Sequence, residues 1–228
     1  MKKNILVLGA NSEFAESFIE LINDTPHEVF GISRGKVQNI SKQNQIVVSN
    51  YLDNMSEIIN FIKKINSPYI IFFNGFLREN RPESFPSELE IEQTLEINYL
   101  IPFHMTQKLK EVDIVNKFIY ISTMASIKPR FKNYVYGLSK KNLEESVKNI
   151  DSIEYLIVRY GQIETNMSKN HSKAPFSLNK IQASKILLRL IDSRGIKYAN
   201  NKLLFVSILI KILPLKLLNY IENKRWII

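Results

Sequence analysis

Asn4–Ala15, reading NILVLGANSEFA, is the stretch on which the fold turns. Ile5 to Leu8 run apolar without the alternation of a half-solvated strand, so they read as a strand buried on both faces. Gly9 then offers a tight turn, and Asn11, Ser12 and Glu13 lead into Phe14 and Ala15 as a helix begins. A strand that turns on glycine into a helix aims free backbone N–H groups, and the positive end of the helix dipole, at one point that suits a pyrophosphate. Gly9, Asn11, Ser12, Glu13 and Phe14 are therefore candidate cradle residues. A dinucleotide fingerprint has further glycines where Glu13 and Ala15 stand, so a plain turn with Asn11 or Ser12 as helix cap accounts for the run equally well.

Outward from this unit the pattern repeats. Strand-length apolar runs recur at Glu28 to Ile32, Gln45 to Val48, Tyr69 to Phe73, Lys117 to Ser122 and Glu154 to Val158, separated by helical spacing over Phe14 to Ile22, Met55 to Ile65, Leu89 to Leu109 and Tyr136 to Ile150. Alternating strands and helices predict one doubly wound Rossmann-type α/β domain over residues 1–200, a central parallel sheet flanked by helices. Thr165 to Asn179 breaks the rhythm and reads as a mobile loop over a site. From Lys202 the chain is KLLFVSILIKILPLKLLNYIENKRWII, apolar but interrupted by Lys211, Pro214 and Lys216. A membrane span needs about 20 mostly apolar residues. Residues 201–228 therefore read as an amphipathic extension of the same domain, packed on it, buried between copies, or resting on a bilayer surface.

Composition narrows the chemistry. Of 228 residues 45% are hydrophobic and 23% charged, which suits a soluble globular chain rather than a disordered or membrane-embedded one. With no cysteine, disulfides and thiolate metal sites are excluded, and three scattered histidines make a metal site unexpected. The apolar run at the N-terminus is too short for a secretory signal, so a cytoplasmic protein is expected, with peripheral contact at the inner face of the membrane left open to the tail. The net charge is +9, and from Lys202 onward five basic residues face one acid. No aromatic-interleaved basic stripe accompanies that charge, so nucleic acid is not an expected partner.

Two further clusters carry chemistry. After the second strand the chain reads Gly31, Ile32, Ser33, Arg34, Gly35. An acid at this point would hold ribose hydroxyls, whereas Ser33 with Arg34 would accept a 2'-phosphate and favour NADP(H) over NAD(H). A solvated surface arginine is the plain alternative. Asn50, at the end of the third strand, is either an adenine contact or a turn former. Tyr136 and Lys140 lie four apart on one helix face. An ammonium beside a phenol favours phenolate, drawing the tyrosine down from about 10 toward the range of an acid/base catalyst. The preceding strand ends in Ser122 and Thr123, whose hydroxyls can donate to an oxygen on which charge develops.

These features, with Asn74 and Gly75 after the fourth strand, Asn98 in a helix, and the run Arg159, Tyr160, Gly161, Gln162, Ile163, Glu164, Thr165, resemble the short-chain dehydrogenase/reductase family from about residue 4 to 195. The resemblance implies an NAD(P)-dependent oxidoreductase that interconverts a secondary alcohol and a ketone. It makes Tyr136 the general acid/base and gives Lys140 the nicotinamide ribose. Asn98 would anchor the water of a proton relay, Asn74 would steady the sheet beside the cofactor, and Ile163 and Thr165 would contact the carboxamide. Thr123 stands where the family has serine, with Ser122 as substitute, and Tyr160 interrupts an Arg-Pro-Gly pattern. Gly9–Ala15 and the basic tail are similar to bacterial cell-envelope sugar reductases of the decaprenylphosphoryl keto-sugar type. That implies a keto sugar, phosphorylated, nucleotide-linked or lipid-linked, met by Arg130, Lys169, His171 or Lys173. A reductase of acyl or small ketone substrates and a non-catalytic dinucleotide-binding scaffold are the alternatives. A homo-dimer or homo-tetramer, paired through the helices near Leu89 and Tyr136, is expected from the family.

Overall fold

The computed structural model describes residues 2–78, 85–168 and 174–224, with side chains to Ile221. Seven parallel strands form one sheet: β1 (Asn4–Leu8), β2 (Glu28–Ser33), β3 (Gln45–Val47), β4 (Tyr69–Phe72), β5 (Lys117–Thr123), β6 (Tyr155–Tyr160) and β9 (Gly195–Tyr198). Their order across the sheet is β3-β2-β1-β4-β5-β6-β9, and β7 (Ile163–Glu164) pairs separately with β8 (Leu178–Asn179). Helices α1 (Glu13–Asn23), α2 (Met55–Ile62), α3 (Glu88–Leu95), α4 (Ile101–Val112), α5 (Tyr134–Lys148) and α6 (Lys180–Leu190) cover the faces. The chain then continues into α7 (Asn201–Ile212) and α8 (Leu215–Lys224).

The unbroken apolar runs follow from burial on both sides. Along β1, Ile5 and Val7 join Phe18 and Ile19 of α1 and Leu187 of α6 in one core layer, while Leu6 and Leu8 join Ile58 of α2, Met105 of α4 and Leu143 of α5 in the other. Strand order reverses between β2 and β4 on either side of β1, so the crevice for a ligand opens at the carboxyl ends of β1 and β4. Gly9 sits there with φ +75, and a Cβ on it would lie 3.1 Å from the Asn74 backbone nitrogen. Only glycine lets the chain turn this close to β4.

Three expectations are revised. The helix read over Leu89 to Leu109 is two helices joined by a π turn, Glu96–Leu100. Pro102, lacking an N–H, sits in the first turn of α4, and Asn98 bonds across to Phe76, so the regular ladder yields to an extra residue here. The irregular segment Thr165 to Asn179 is bounded by the β7–β8 pair and contains a 3-10 turn at Asn166–Ser168. A seventh strand, β9, extends the sheet beyond β6. The tail is helical and broken at Pro214. Lys128 Nζ donates to the Lys211 and Leu213 carbonyls at the end of α7, and Leu203, Ser207 and Ile210 are buried against the domain.

Gly9→Ala is expected to cost about 1–3 kcal/mol in urea unfolding, because it combines a left-handed φ with contact on β4. An unchanged midpoint would show that the turn relaxes freely.

Candidate active site

Helix α5 brings its chemistry to the end of β5 because it packs against the turn there with almost no separation. A Cβ on Gly137 would lie 2.8 Å from the Ala125 carbonyl oxygen, so any larger residue would push the helix away. Tyr136 and Lys140, on either side of this contact, both line a cavity of about 730 Å³ that opens at the carboxyl ends of β1, β4, β5 and β6.

Lys140 is buried, and its Nζ donates to the carbonyls of Asn74 and Ile121, each at 3.2 Å. Burial lowers it to about 8, against an opposing pull from Glu144. Tyr136 is pushed up to about 12 by burial, and a hydrogen bond with the Thr123 side chain works in the other direction. The lowering expected from the ammonium is not found here: loss of solvent raises the phenol, Thr123 is what opposes it, and the phenol stays protonated at neutral pH.

The two adjacent hydroxyls separate cleanly. Ser122 Oγ donates to Glu144 Oε1 at 2.5 Å, while Thr123 faces Tyr136 and accepts from the Ala125 backbone at 3.2 Å. Glu144, a further turn along α5 from Lys140, also takes Ser126 Oγ at 2.7 Å and forms a buried ion pair with Arg159, whose other side meets the Tyr198 hydroxyl at 2.8 Å. Stripping one partner from such a pair costs about 3–5 kcal/mol. This network went unread in the sequence, although a Glu four residues after Lys140 shares its helix face and gave a signal.

Around the cradle, Ser12 caps α1 by accepting from the Ala15 N–H at 3.3 Å. Glu13 lines the cavity and holds Asn166, accepting from its backbone N–H at 3.1 Å and from its side-chain amide. Phe14 packs edge-on against Phe73 and Tyr160, with ring centroids 5.0 and 5.5 Å away. Ile163 and Thr165 line the same cavity, as do Asn74 and Gly75. Gly9, Asn11, Ser33, Arg34 and Asn50 do not line it. They lie at and after the ends of β1, β2 and β3. The Ser33 hydroxyl is buried and donated to the Gly35 carbonyl, whereas Arg34 is exposed. Asn50 Oδ1 accepts from the Leu52 and Asp53 amides, the pattern of a turn former. Asn98 spends its side chain on Phe76 and Thr94, pinning the chain just after Gly75. Tyr51, unread in the sequence, is buried beneath the cradle, and burial raises its phenol. Arg130 lines the cavity, while Lys169, His171 and Lys173 lie outside the described residues.

No family profile and no curated protein sequence matches the chain. Solved structures do. A short-chain dehydrogenase from Burkholderia cenocepacia in complex with NADP aligns over 90% of this chain and 91% of its own, with 16% identity and a TM-score of 0.71. The carbonyl reductase Sniffer of D. melanogaster aligns over 87% and 97%, with 15% identity and a TM-score of 0.69. The chain shares the short-chain dehydrogenase fold. A third protein with that fold, 4-hydroxyisoleucine dehydrogenase complexed with NADH, aligns over 87% and 97%, at 17% identity and a TM-score of 0.65. Against the short-chain dehydrogenase pattern, Tyr160 replaces a proline, and the structure shows how it is accommodated: its ring is buried and its hydroxyl donates to the Ala183 carbonyl at 3.1 Å.

Between pH 8 and 10 the unfolded chain holds more proton at Lys140 than the folded chain does, because the folded value is lowered from 10.5 to about 8. Stability is therefore expected to rise with pH across that window, and Lys140→Met to flatten the rise in denaturant titrations. Parallel pH profiles for the two proteins would contradict the assignment.

Proposed function

We propose that the protein is an NAD(P)-dependent oxidoreductase that interconverts a secondary alcohol and a ketone, with Tyr136 as general acid/base. The observation that carries this reading is that Tyr136 and Thr123 line the wall of one cavity together with the buried Lys140 ammonium, one helical turn on from the tyrosine.

The residues present fit a nicotinamide dinucleotide. Gly9 lets the chain turn from β1 into α1 tight against β4, where a Cβ would meet the Asn74 backbone, and Asn74 Oδ1 is buried without a hydrogen-bond partner among the described residues. The start of α1 beside Ser12 would take the pyrophosphate, and Ile163 and Thr165 would meet the carboxamide. Two donors of Lys140 are committed to carbonyls, and its third is suited to a ribose hydroxyl. When bound, the dinucleotide supplies or takes up hydride. In the reducing direction Tyr136 gives its phenolic proton to the substrate oxygen, and Thr123 Oγ donates a hydrogen bond to the same atom. Lys140 then stabilises the phenolate that remains. Ser122 takes no part in this, since its hydroxyl is spent on Glu144. Asn98 contributes by holding the backbone of Phe76 in place beside the cleft.

NADP(H) is the favoured cofactor because Arg34 stands exposed after β2 and no acid adjoins it there. The substrate class is a keto sugar carrying a phosphate, nucleotide-linked or lipid-linked. Arg130 and Lys132 at the cavity support this as cationic neighbours for a phosphate. Pairing of copies through α3 to α5 fits the exposed Leu89 and Leu100.

Tyr136→Phe is expected to lower turnover of NADPH with keto sugars by about 10²–10⁴-fold while NADPH still binds. Thr123→Val should be similarly impaired and Ser122→Ala far less so. An active Tyr136→Phe enzyme would end the reading. Arg34→Ala should weaken NADPH by about 10- to 100-fold, the worth of a charged hydrogen bond, with NADH unaffected. Equal loss of both would remove the NADP preference.

A further inference from the structure

The tail presents two unlike faces. On the inner side, Leu203, Val206 and Ile210 of α7 and Leu218 of α8 form part of the cavity wall that also holds Tyr136. On the outer side of α7, Leu204, Phe205, Ile208, Leu209 and Ile212 are all exposed, Phe205 by 63% and Ile212 by 73%. At 3.6 residues per turn these five share one face, with Lys202 and Lys211 on its two edges. Leu215 and Leu217 of α8 continue the exposed apolar surface beyond Pro214, with Lys216 between them also exposed. No carboxylate occurs anywhere in residues 201–221. A soluble protein rarely leaves so many neighbouring large apolar side chains in water.

We propose that the outer face of α7 and α8 docks on the surface of an anionic phospholipid bilayer. The apolar residues would enter the acyl boundary, and Lys202, Lys211 and Lys216 would meet the headgroup phosphates. Charge selects this occupant: a surface with three lysines at its margins against one acid, Glu222 near the end of α8, matches a sheet of phosphates, whereas a second copy would bring the same cations face to face. Neither helix crosses the bilayer, since no helix among the described residues is long and apolar enough. The helices lie along it. The same two helices wall the cavity, so docking sets the mouth of the candidate site at the membrane surface. This last consequence rests on the reductase reading, while the docking itself does not.

Flotation of the full chain with vesicles tests the proposal. The protein is expected to float with phosphatidylcholine vesicles containing phosphatidylglycerol, to float poorly with phosphatidylcholine alone, and to be released by salt. Each lysine is worth about fivefold in partitioning, so Lys202→Gln, Lys211→Gln and Lys216→Gln together should lower binding by about 100-fold. Phe205→Ser with Ile208→Ser should abolish it. These side chains are exposed, so circular dichroism and NADPH binding should match the wild type. Failure of the folded wild-type protein to float, or flotation indifferent to both variants, overturns the proposal. So does light scattering that shows a dimer in lipid-free buffer dissolved by the Phe205 and Ile208 changes, since a second copy then covers the face. Tyr136→Phe floats as the wild type does, so failure of the catalytic reading and failure of this one are read separately.

Discussion

The close approach of α5 to the turn after β5 is the constraint from which the site follows. A missing side chain at Gly137 lets the helix backbone come within van der Waals reach of the Ala125 carbonyl. That approach sets Tyr136 against Thr123 and sends Lys140 down between the ends of β4 and β5. The parallel sheet supplies the rest: strands that all point one way deliver their ends, and the loops that follow, to one rim.

Beneath that rim the chain keeps two charges out of water at different depths. Lys140 is held by carbonyl dipoles, with the Glu144 carboxylate a turn below it. Glu144 is itself neutralised by Arg159 and hydrogen-bonded by Ser122 and Ser126. The pair ties α5, β5 and β6 together where the cavity floor needs rigidity, and Tyr198 extends it to the edge strand. A buried ion pair adds little net stability by itself. Its contribution here is geometric, because it places the Glu144 carboxylate where it takes the Ser122 hydroxyl and leaves that of Thr123 uncommitted to it.

Much of this was legible in the residues. Strands buried on both faces leave continuous apolar runs, so five strands after Gly9 could be placed within a residue or two. β9 was not, because an edge strand of three half-buried residues and the exposed Lys197 leaves no such run. Helix α6 was not placed either, although the capping pair of Asn179 and Gln182 marks its start. The π turn was not, since it depends on Asn98 reaching Phe76, 22 residues away. The pairing of Tyr136 with Lys140 is a matter of helical spacing and came through. The direction in which the tyrosine shifts did not, because spacing reports a neighbour's charge but not how much water has been removed. For the same reason Ser122 and Thr123 could be shortlisted but not separated until Glu144 was seen to claim the first.

The reach of Lys140 has one more implication. Its ammonium closes on a carbonyl 66 residues earlier in the chain, and Glu13 grips a loop 153 residues later. Contacts of that span cannot form in a fragment or a nascent N-terminal half, since each waits for a large loop to close. The cleft is thus a late product of assembly, and a chain whose cleft is complete has by that fact finished folding.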